Sequence, residues 1–300
     1  MKAGVYLYMQ RQDKIFKWCC LGCALIIAVL VPGIFVQLGW HSADAWQQFG
    51  VGFLWSAEWD PAQESYGAWS SVLGTLYTTG MALLLAIPLA FVAALFVVES
   101  PEWLGRPLSY CVDLLAAIPS VIYGMWGLFV LVPMMQEYVQ PFTGEEYNGF
   151  GFLTAGVILA LMILPYMSAI MRDVLRMTPA LLRESAYGLG CTRWETTRDV
   201  VLRYGIRGIL GGIFIGLGRA LGETMAVLFV IGNMMEAPDG LFSGGTTIAA
   251  TLACNFAESD GLQRSSLFAL GLILLLLCFG IQVLSQYYLH LTGARRGEAR

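Results

Sequence analysis

The stretch Ile209–Met235, ILGGIFIGLGRALGETMAVLFVIGNMM, decides how this chain must fold. It is apolar and longer than the about 20 residues that a helix needs to cross a bilayer, yet it contains Arg219 and Glu223. On a continuous helix Arg219 would lie about 18 Å from Arg207, near the middle of the membrane, and Glu223 would share its face at the i, i+4 spacing. A charge at that depth costs about 2.5–3.5 kcal/mol. Both side chains are therefore expected to face protein or a water-filled path.

Two interpretations of this charged pair stay open from the residues alone. Arg219 and Glu223 either form a structural ion pair between helices, or Arg219 contacts an anion that crosses the membrane, because intramembrane charges usually mark functional sites. Small residues at four-residue steps let helix backbones approach closely. The span carries two such stripes, so it is predicted to be central and closely packed: Gly208, Gly212 and Gly216 on one, Gly218 and Gly222 on the other.

The composition indicates an all-α polytopic membrane protein. Of 300 residues, 57% are hydrophobic and 13% charged, whereas soluble domains carry about 25% charged residues. Lysine occurs only at positions 2, 14 and 17, so the chain has no GxxxxGK[ST] nucleotide loop, and any ATP-driven work must come from a partner. The two histidines are far apart, and Cys20-x-x-Cys23 lacks a second ligand pair. We expect no enzyme activity, cofactor, metal site or nucleic-acid partner.

Six apolar runs predict six membrane-spanning helices, at about 15–39, 69–98, 108–135, 152–171, 209–235 and 267–289. The first run is longer than the core of a signal peptide, so it is interpreted as an uncleaved span. The chain then divides into an N-terminal helix with an outer interfacial segment (1–68), a transmembrane domain (69–290) and a tail (291–300). Ile248, Leu252 and Phe256 recur every four residues between the last two spans, which predicts a short surface helix.

Pro119 interrupts the third span within the sequence Ile118-Pro119-Ser120-Val121-Ile122-Tyr123-Gly124. Proline frees a backbone carbonyl, and Ser120 and Tyr123 supply polar groups beside it. Broken backbone is tolerated in a membrane where it lines protein or water. A cavity-lining break and a plain kink both remain open.

The distribution of basic residues orients the chain. With six spans and the N-terminus inside, fifteen of the seventeen Lys and Arg residues lie on inner segments, Arg264 lies outside and Arg219 lies in the membrane. This asymmetry follows the positive-inside rule. Both termini are therefore predicted to be cytoplasmic, with segments 40–68, 136–150 and 236–264 outside.

The inner segment 172–208 is the only long charged loop. Helical stretches are predicted on both sides of Gly188 and Gly190, with a turn between them. Arginines and carboxylates interleave along the loop, which is typical of either a solvated face or a docking surface.

Five stretches resemble one known family, the phosphate-specific permeases of bacterial ABC importers. Glu184-x-Ala186-x-x-x-Gly190 resembles the EAA loop that docks into the ATPase of such importers. The nine residues 218–226, GRALGETMA, are similar to the signature of the phosphate-specific permeases. The sequence from Ile118 to Gly124 fits the same family, as do Glu58-Trp59-Asp60-Pro61 and Tyr66-Gly67-Ala68. The first span and outer segment favour the C-type over the A-type subunit. One difference is Arg203 after Leu202, where the family usually has proline, so a continuous helix is expected to leave the loop.

The resemblance implies a type I (MetI-like) ABC importer architecture in the bacterial inner membrane. The implied partners are an A-type permease, two ATPases and an extracytoplasmic phosphate-binding protein. The outer segments carry eleven carboxylates and one arginine, a balance that repels free phosphate and favours delivery by a binding protein. The candidate pathway residues are Arg219, Glu223, Thr224, Ser120 and Tyr123. The candidate coupling residues are Glu184, Ala186, Gly188, Gly190 and Trp194.

Three alternatives belong to other functions. An intramembrane enzyme could use Glu223 as a base, but no Cys, His or second acid lies in its span. A signalling scaffold would bind a regulator through the inner loop. A permease for a related oxyanion such as phosphonate would need the same arginine, because Arg recognises any oxyanion.

Overall fold

The computed structural model describes residues 2–139, 141, 148–236 and 240–297, with side chains described from Asp13 to Leu291. The predicted outer residues Glu145, Glu146 and Asp239 and the end of the tail lie outside this part. Its helices are α1 (Lys2–His41), α2 (Ala43–Phe49), α3 (Trp69–Glu99), α4 (Glu102–Ala117), α5 (Ser120–Tyr138), α6 (Phe152–Arg176), α7 (Ala180–Gly188), α8 (Arg193–Leu221), α9 (Met225–Leu228), α10 (Ile248–Asn255) and α11 (Gly261–Gly297). Two short strands, β1 (Trp59–Asp60) and β2 (Ser65–Tyr66), pair antiparallel.

The predicted number of spans is confirmed within the described residues. Five helices are long and apolar enough to cross a membrane, and α4 with α5 makes a sixth if that pair is one span. The pair is bent by 95° at Ile118-Pro119, so the interruption is a full break and not a plain kink. The fourth span extends beyond its predicted end to Arg176.

The predicted fifth span is wrong in its second half. α8 starts in the inner loop at Arg193, passes through a π-helical turn at Thr197–Val201 and ends at Leu221. Gly222 caps the helix, and the Glu223 carboxylate then accepts a hydrogen bond from the Ala226 amide at 3.2 Å. Such local side-chain to backbone bonds compete with helix continuation.

The core forms where small residues bring three long helices together. Ala82, Ala86, Ala90 and Ala94 are all fully buried in α3, and a Cβ atom at Gly156 of α6 would lie 3.0 Å from Met81 of α3. The first glycine stripe of α8 packs against the C-terminal half of α6. Added Cβ atoms on this stripe would meet the following side chains: Gly208 meets Val174, Gly212 meets Ile170, and Gly216 meets Met167. The predicted close packing of this stripe is confirmed.

The second glycine stripe of α8 behaves differently. A Cβ atom at Gly218 would meet nothing within 4 Å among the described residues, and one at Gly222 would only reach the Gly218 carbonyl at 4.0 Å. The side of α8 that carries Gly218 is therefore open within the described part of the chain.

The helix predicted around Ile248 exists as α10, and its placement on the surface is right for its second half, where Ala253 and Cys254 are exposed, but not for its first turn. Ile248 is fully buried, and its amide donates to the Thr75 hydroxyl of α3 at 3.0 Å. The Thr251 hydroxyl bonds Ser71 of α3 at 3.0 Å and Thr246 at 2.9 Å. Hydroxyl pairing with α3 thus buries the first turn of α10, while the end of the helix is exposed as predicted.

Candidate functional site

Arg219 lies in the last turn of α8, where its side chain is exposed and its guanidinium stacks on an aromatic ring. The guanidinium carbon is 4.1 Å from the centroid of the Tyr166 ring of α6. A cation over an aromatic face is attracted by the ring quadrupole. The ring thus holds the charged group in place without neutralising it.

The predicted i, i+4 pair on one helix face is wrong, because the helix ends between the two residues. No ion pair joins Arg219 to Glu223 in the described part of the chain. Glu223 is half-buried and its carboxylate accepts from the Ala226 amide, where α9 begins. Arg219 therefore keeps its charge available for another anion.

Two tyrosines support the break at Pro119. The Tyr123 hydroxyl donates to the Leu115 carbonyl at 2.9 Å, and the Tyr166 hydroxyl donates to the Ala116 carbonyl at 2.8 Å. The last carbonyls of a helix have no partner within it, and a buried carbonyl without a partner is costly. Both phenols thus satisfy the end of α4, and Tyr166 links this break to Arg219.

The two interrupted helices pack against each other at Gly124. A Cβ atom there would lie 2.8 Å from the Met225 carbonyl and 3.2 Å from the Ala226 Cα of α9. The start of α5 and the segment after α8, which are distant in sequence, therefore meet at this glycine. The structure brings the two predicted motifs together.

The other predicted pathway residues lie at the same breaks with different surroundings. Ser120 is half-buried at the first turn of α5, and Tyr123 is only 7% exposed with its hydroxyl bonded as described. The Thr224 hydroxyl donates to the Gly222 carbonyl at 3.4 Å. Thr224 also lines an apolar cavity of about 430 Å³ with Leu38 and Phe268.

Sequence reasoning missed Tyr166 as a site residue. Its signal was a phenol inside the apolar run MILPYMSAI, since a buried tyrosine hydroxyl usually needs a hydrogen-bond partner. The sequence contained no indication that the partner would be the end of α4, or that the ring would carry Arg219.

The inner loop contains the predicted turn. Gly190 has φ +88°, and its amide donates to the Tyr187 carbonyl at 2.9 Å while Cys191 donates to Ala186 at 3.1 Å. Thr192 and Glu195 then form a capping box that starts α8. The second predicted loop helix is thus the beginning of α8, and the expected continuous exit at Arg203 is confirmed.

The residues predicted to couple this chain to the ATPase differ in their exposure. Ala186 is buried, and Glu184, Gly188 and Gly190 are exposed. Large apolar side chains are also exposed on this polar loop, with 86% of Leu189 and 61% of Trp194 accessible. Exposed apolar residues on an otherwise polar segment are typical of an interaction surface.

Sequence comparison shows the relatives of this chain. The family described as binding-protein-dependent transport system inner membrane component matches residues 86–290. The phosphate transport system permease protein PstC of Pasteurella multocida (strain Pm70) is 49% identical over 281 residues, with 88% of each chain covered. PstC of Haemophilus influenzae (strain ATCC 51907 / DSM 11121 / KW20 / Rd) is 44% identical, with 95% of each covered.

Solved structures show the same fold at low sequence identity. A chain of the MetNI methionine ABC transporter, in an inward-facing conformation, is 17% identical with a TM-score of 0.54, covering 75% of this chain and 93% of its own. A chain of a bacterial alginate ABC transporter is 16% identical with a TM-score of 0.59, covering 88% and 93%. The expected ABC importer permease architecture is thereby confirmed. Together these comparisons show that the chain belongs to the binding-protein-dependent transport system inner membrane components, and within them to the PstC family.

Proposed function

We propose that this chain is a permease subunit of an ATP-driven importer of inorganic phosphate and forms half of its translocation pathway. The observation that carries the proposal is the exposed Arg219 guanidinium, held over Tyr166 where two interrupted helices meet. Two relatives of this chain, at 44% and 49% identity, are named phosphate transport permeases. This supports phosphate as the anion.

Arg219 is suited to bind a phosphate group in passage. The guanidinium is planar and offers donors in a fork that matches two oxygens of an oxyanion. The aromatic ring orients the fork but provides no acceptor for its N–H groups, so these groups remain available for the substrate. Glu223 is bonded to the Ala226 amide, and a protonated phosphate oxygen could instead donate to its carboxylate. The pathway is thus proposed to include Arg219 and Glu223, with Ser120, Tyr123 and Thr224 at the two helix breaks.

The complete importer requires further subunits. We propose an A-type permease as the other half of the pathway, two ATPases on the inner side and an extracytoplasmic phosphate-binding protein. The ATPase would dock on the segment 172–208, on the exposed face that includes Leu189 and Trp194. The proposed location is the bacterial inner membrane with both termini cytoplasmic, and no ATP hydrolysis by this chain itself.

An intramembrane enzyme would use the Glu223 carboxylate as a base. In the structure this carboxylate accepts a hydrogen bond from the Ala226 amide at 3.2 Å, where α9 begins. This bond favours a structural or pathway role for Glu223 over general-base catalysis.

Uptake by the assembled complex tests the proposal. Cells that depend on this importer are supplied with radiolabelled phosphate in the presence of excess unlabelled phosphate, phosphonate or sulfate. We expect unlabelled phosphate alone to abolish uptake of the label. Equal competition by phosphonate would contradict phosphate as the specific substrate, and uptake that persists in cells lacking the chain would contradict its role in transport.

A further inference from the structure

A polar cavity of about 570 Å³ lies away from the Arg219 site, between the start of α4 and the ends of α3 and α6. Its polar lining includes Ser100, Arg106, Ser109, Asp113, Arg172 and Arg176. Arg176 follows Tyr166 by ten residues on α6, which places the two about 15 Å apart along the helix axis. The cavity is therefore separate from the pathway site.

The lining of this cavity carries a net charge of one positive, from three arginines and two carboxylates. Arg106 pairs with Glu102 at 2.6 Å and Arg172 pairs with Asp113 at 3.2 Å, so the charge of Arg176 is the one that no carboxylate of the lining offsets. Arg106, near the start of α4, and the arginines of the 172–208 segment belong to the part of the chain that the charge asymmetry assigns to the cytoplasm. Basic pockets between membrane helices on that side bind phosphate-bearing headgroups.

Arg172 is a fixed part of the cavity wall. Its side chain is 13% exposed, and its Nη1 atom donates to Asp113 Oδ1 at 3.2 Å and to the Ser109 hydroxyl. Its Nε atom donates to Asp173 at 3.4 Å. The Nη2 atom makes no hydrogen bond to the described residues, so two oriented N–H groups of a preorganised arginine remain available.

Two further groups at the cavity have no protein partner. Arg176 lies one turn after Arg172, is exposed, and makes no ion pair or hydrogen bond within the described part of the chain. The Ser100 hydroxyl is buried and also lacks a hydrogen-bond partner there. A buried hydroxyl without a partner is costly, so a ligand that accepts its hydrogen would remove that cost.

We propose that this cavity binds a phosphate group through Arg176, the Nη2 atom of Arg172 and the Ser100 hydroxyl. Two guanidinium groups and one hydroxyl match the acceptor oxygens of a phosphate, which prefers charge-assisted bonds to arginine. The phosphate belongs either to free inorganic phosphate on the inner side or to the headgroup of an anionic phospholipid.

Two binding measurements on the assembled complex distinguish these sources. In the first, radiolabelled inorganic phosphate is bound to complexes in phosphatidylcholine nanodiscs, all carrying Arg219→Ala so that the pathway site does not contribute. In the second, native mass spectrometry counts the phosphatidylglycerol molecules that complexes retain from phosphatidylglycerol-containing vesicles. Each uses the unmodified cavity, Arg176→Gln, Ser100→Ala and the control Arg203→Gln, which removes an inner arginine outside the cavity.

We expect one of the two ligands to bind about tenfold more weakly to Arg176→Gln, which loses a charge-assisted pair. Ser100→Ala should weaken the same ligand severalfold, and Arg203→Gln should leave it unchanged. If Arg176→Gln does not assemble, Ser100→Ala decides, because it removes a hydroxyl that has no protein partner. The proposal would be overturned if neither Arg176→Gln nor Ser100→Ala weakened the binding of either ligand.

Discussion

At the scale of single residues, the Tyr166 ring lies under the Arg219 guanidinium, which we propose binds phosphate. The ring lies 4.1 Å from the guanidinium carbon and its hydroxyl holds the end of α4. Tyr166 therefore contacts both the Arg219 guanidinium and the end of α4 before Pro119. Substitutions at the two positions should therefore have different effects.

Arg219→Ala should abolish phosphate uptake while the complex still assembles. The side chain is exposed and makes no ion pair with the described residues, so its loss leaves no buried partner charge. Arg219→Lys should also transport poorly, since an ammonium is a point charge without the planar fork. Uptake in cells is measured together with the amount of assembled complex. Normal uptake by an assembled Arg219→Ala complex would show that Arg219 is not a pathway residue.

Tyr166→Phe and Tyr166→Leu separate the two roles of Tyr166. Phenylalanine keeps the ring under Arg219 but leaves the Ala116 carbonyl without its donor, at a cost of about 1–3 kcal/mol if no water replaces it. Leucine also removes the ring. We expect Tyr166→Phe to lower thermal stability and retain most uptake per assembled complex, and Tyr166→Leu to lower both. Equal uptake per complex in the two variants would mean that the ring does not position Arg219.

At the scale of elements, both functional regions depend on places where a helix stops. α4 stops before Pro119, α8 stops at Leu221, and α7 stops before the turn at Gly190. The first two stops meet at Gly124, and the third precedes the helix that carries Arg219. The continuous course of α8 from Arg193 to Leu221 joins the loop directly to the proposed pathway site, which offers a mechanical connection between them.

Gly190→Val should uncouple ATP hydrolysis from transport. Gly190 has φ +88°, a conformation that costs an L-residue about 1–2 kcal/mol and more for a β-branched one. Gly188 serves as the comparison, because a Cβ atom at either glycine meets nothing within 4 Å and only Gly190 has a positive φ. We expect a larger loss of phosphate-stimulated ATP hydrolysis for Gly190→Val than for Gly188→Val. Both variants should still insert in the membrane. The reverse order would contradict the role of the turn.

Gly124→Ala should disturb the meeting of α5 and α9. The new methyl group would lie 2.8 Å from the Met225 carbonyl, which is backbone and cannot rotate away, and overpacking typically costs about 1–3 kcal/mol. Gly80→Ala is the control, since a Cβ atom on that glycine of α3 meets nothing within 4 Å. We expect reduced uptake and thermal stability for Gly124→Ala only. Equal behaviour of the two variants would mean that this close approach is not required.

At the scale of the whole molecule, the orientation in the membrane decides which surface meets each partner. The basic asymmetry predicts that the α7 region faces the cytoplasm and that α10 lies towards the outside. The described structure is compatible with a chain that crosses the membrane up to six times. Orientation itself is open to a direct chemical test, because both regions contain a free cysteine, Cys191 and Cys254.

Single-cysteine variants that retain Cys191 or Cys254 test this orientation with a membrane-impermeant maleimide. We expect labelling of Cys254 from outside intact cells and of Cys191 only after the cells are opened. Burial raises the pKa of the Cys254 thiol above its usual value, so its labelling should be slow near neutral pH and faster in mildly alkaline buffer, where more thiolate is present. Labelling of Cys191 in intact cells would reverse the predicted topology.

The sequence by itself determined the properties that depend on each segment's own chemistry. Apolar length and basic asymmetry predicted the spans and their orientation, because transfer of a helix into the bilayer depends on its own residues. The turn at Gly190 was likewise predicted, from glycines between two helical stretches. Tertiary structure alone decided that Arg219 rests on Tyr166 and that the first turn of α10 is buried against α3. These outcomes depend on side chains from separate helices, whose distances arise only once the helices have packed.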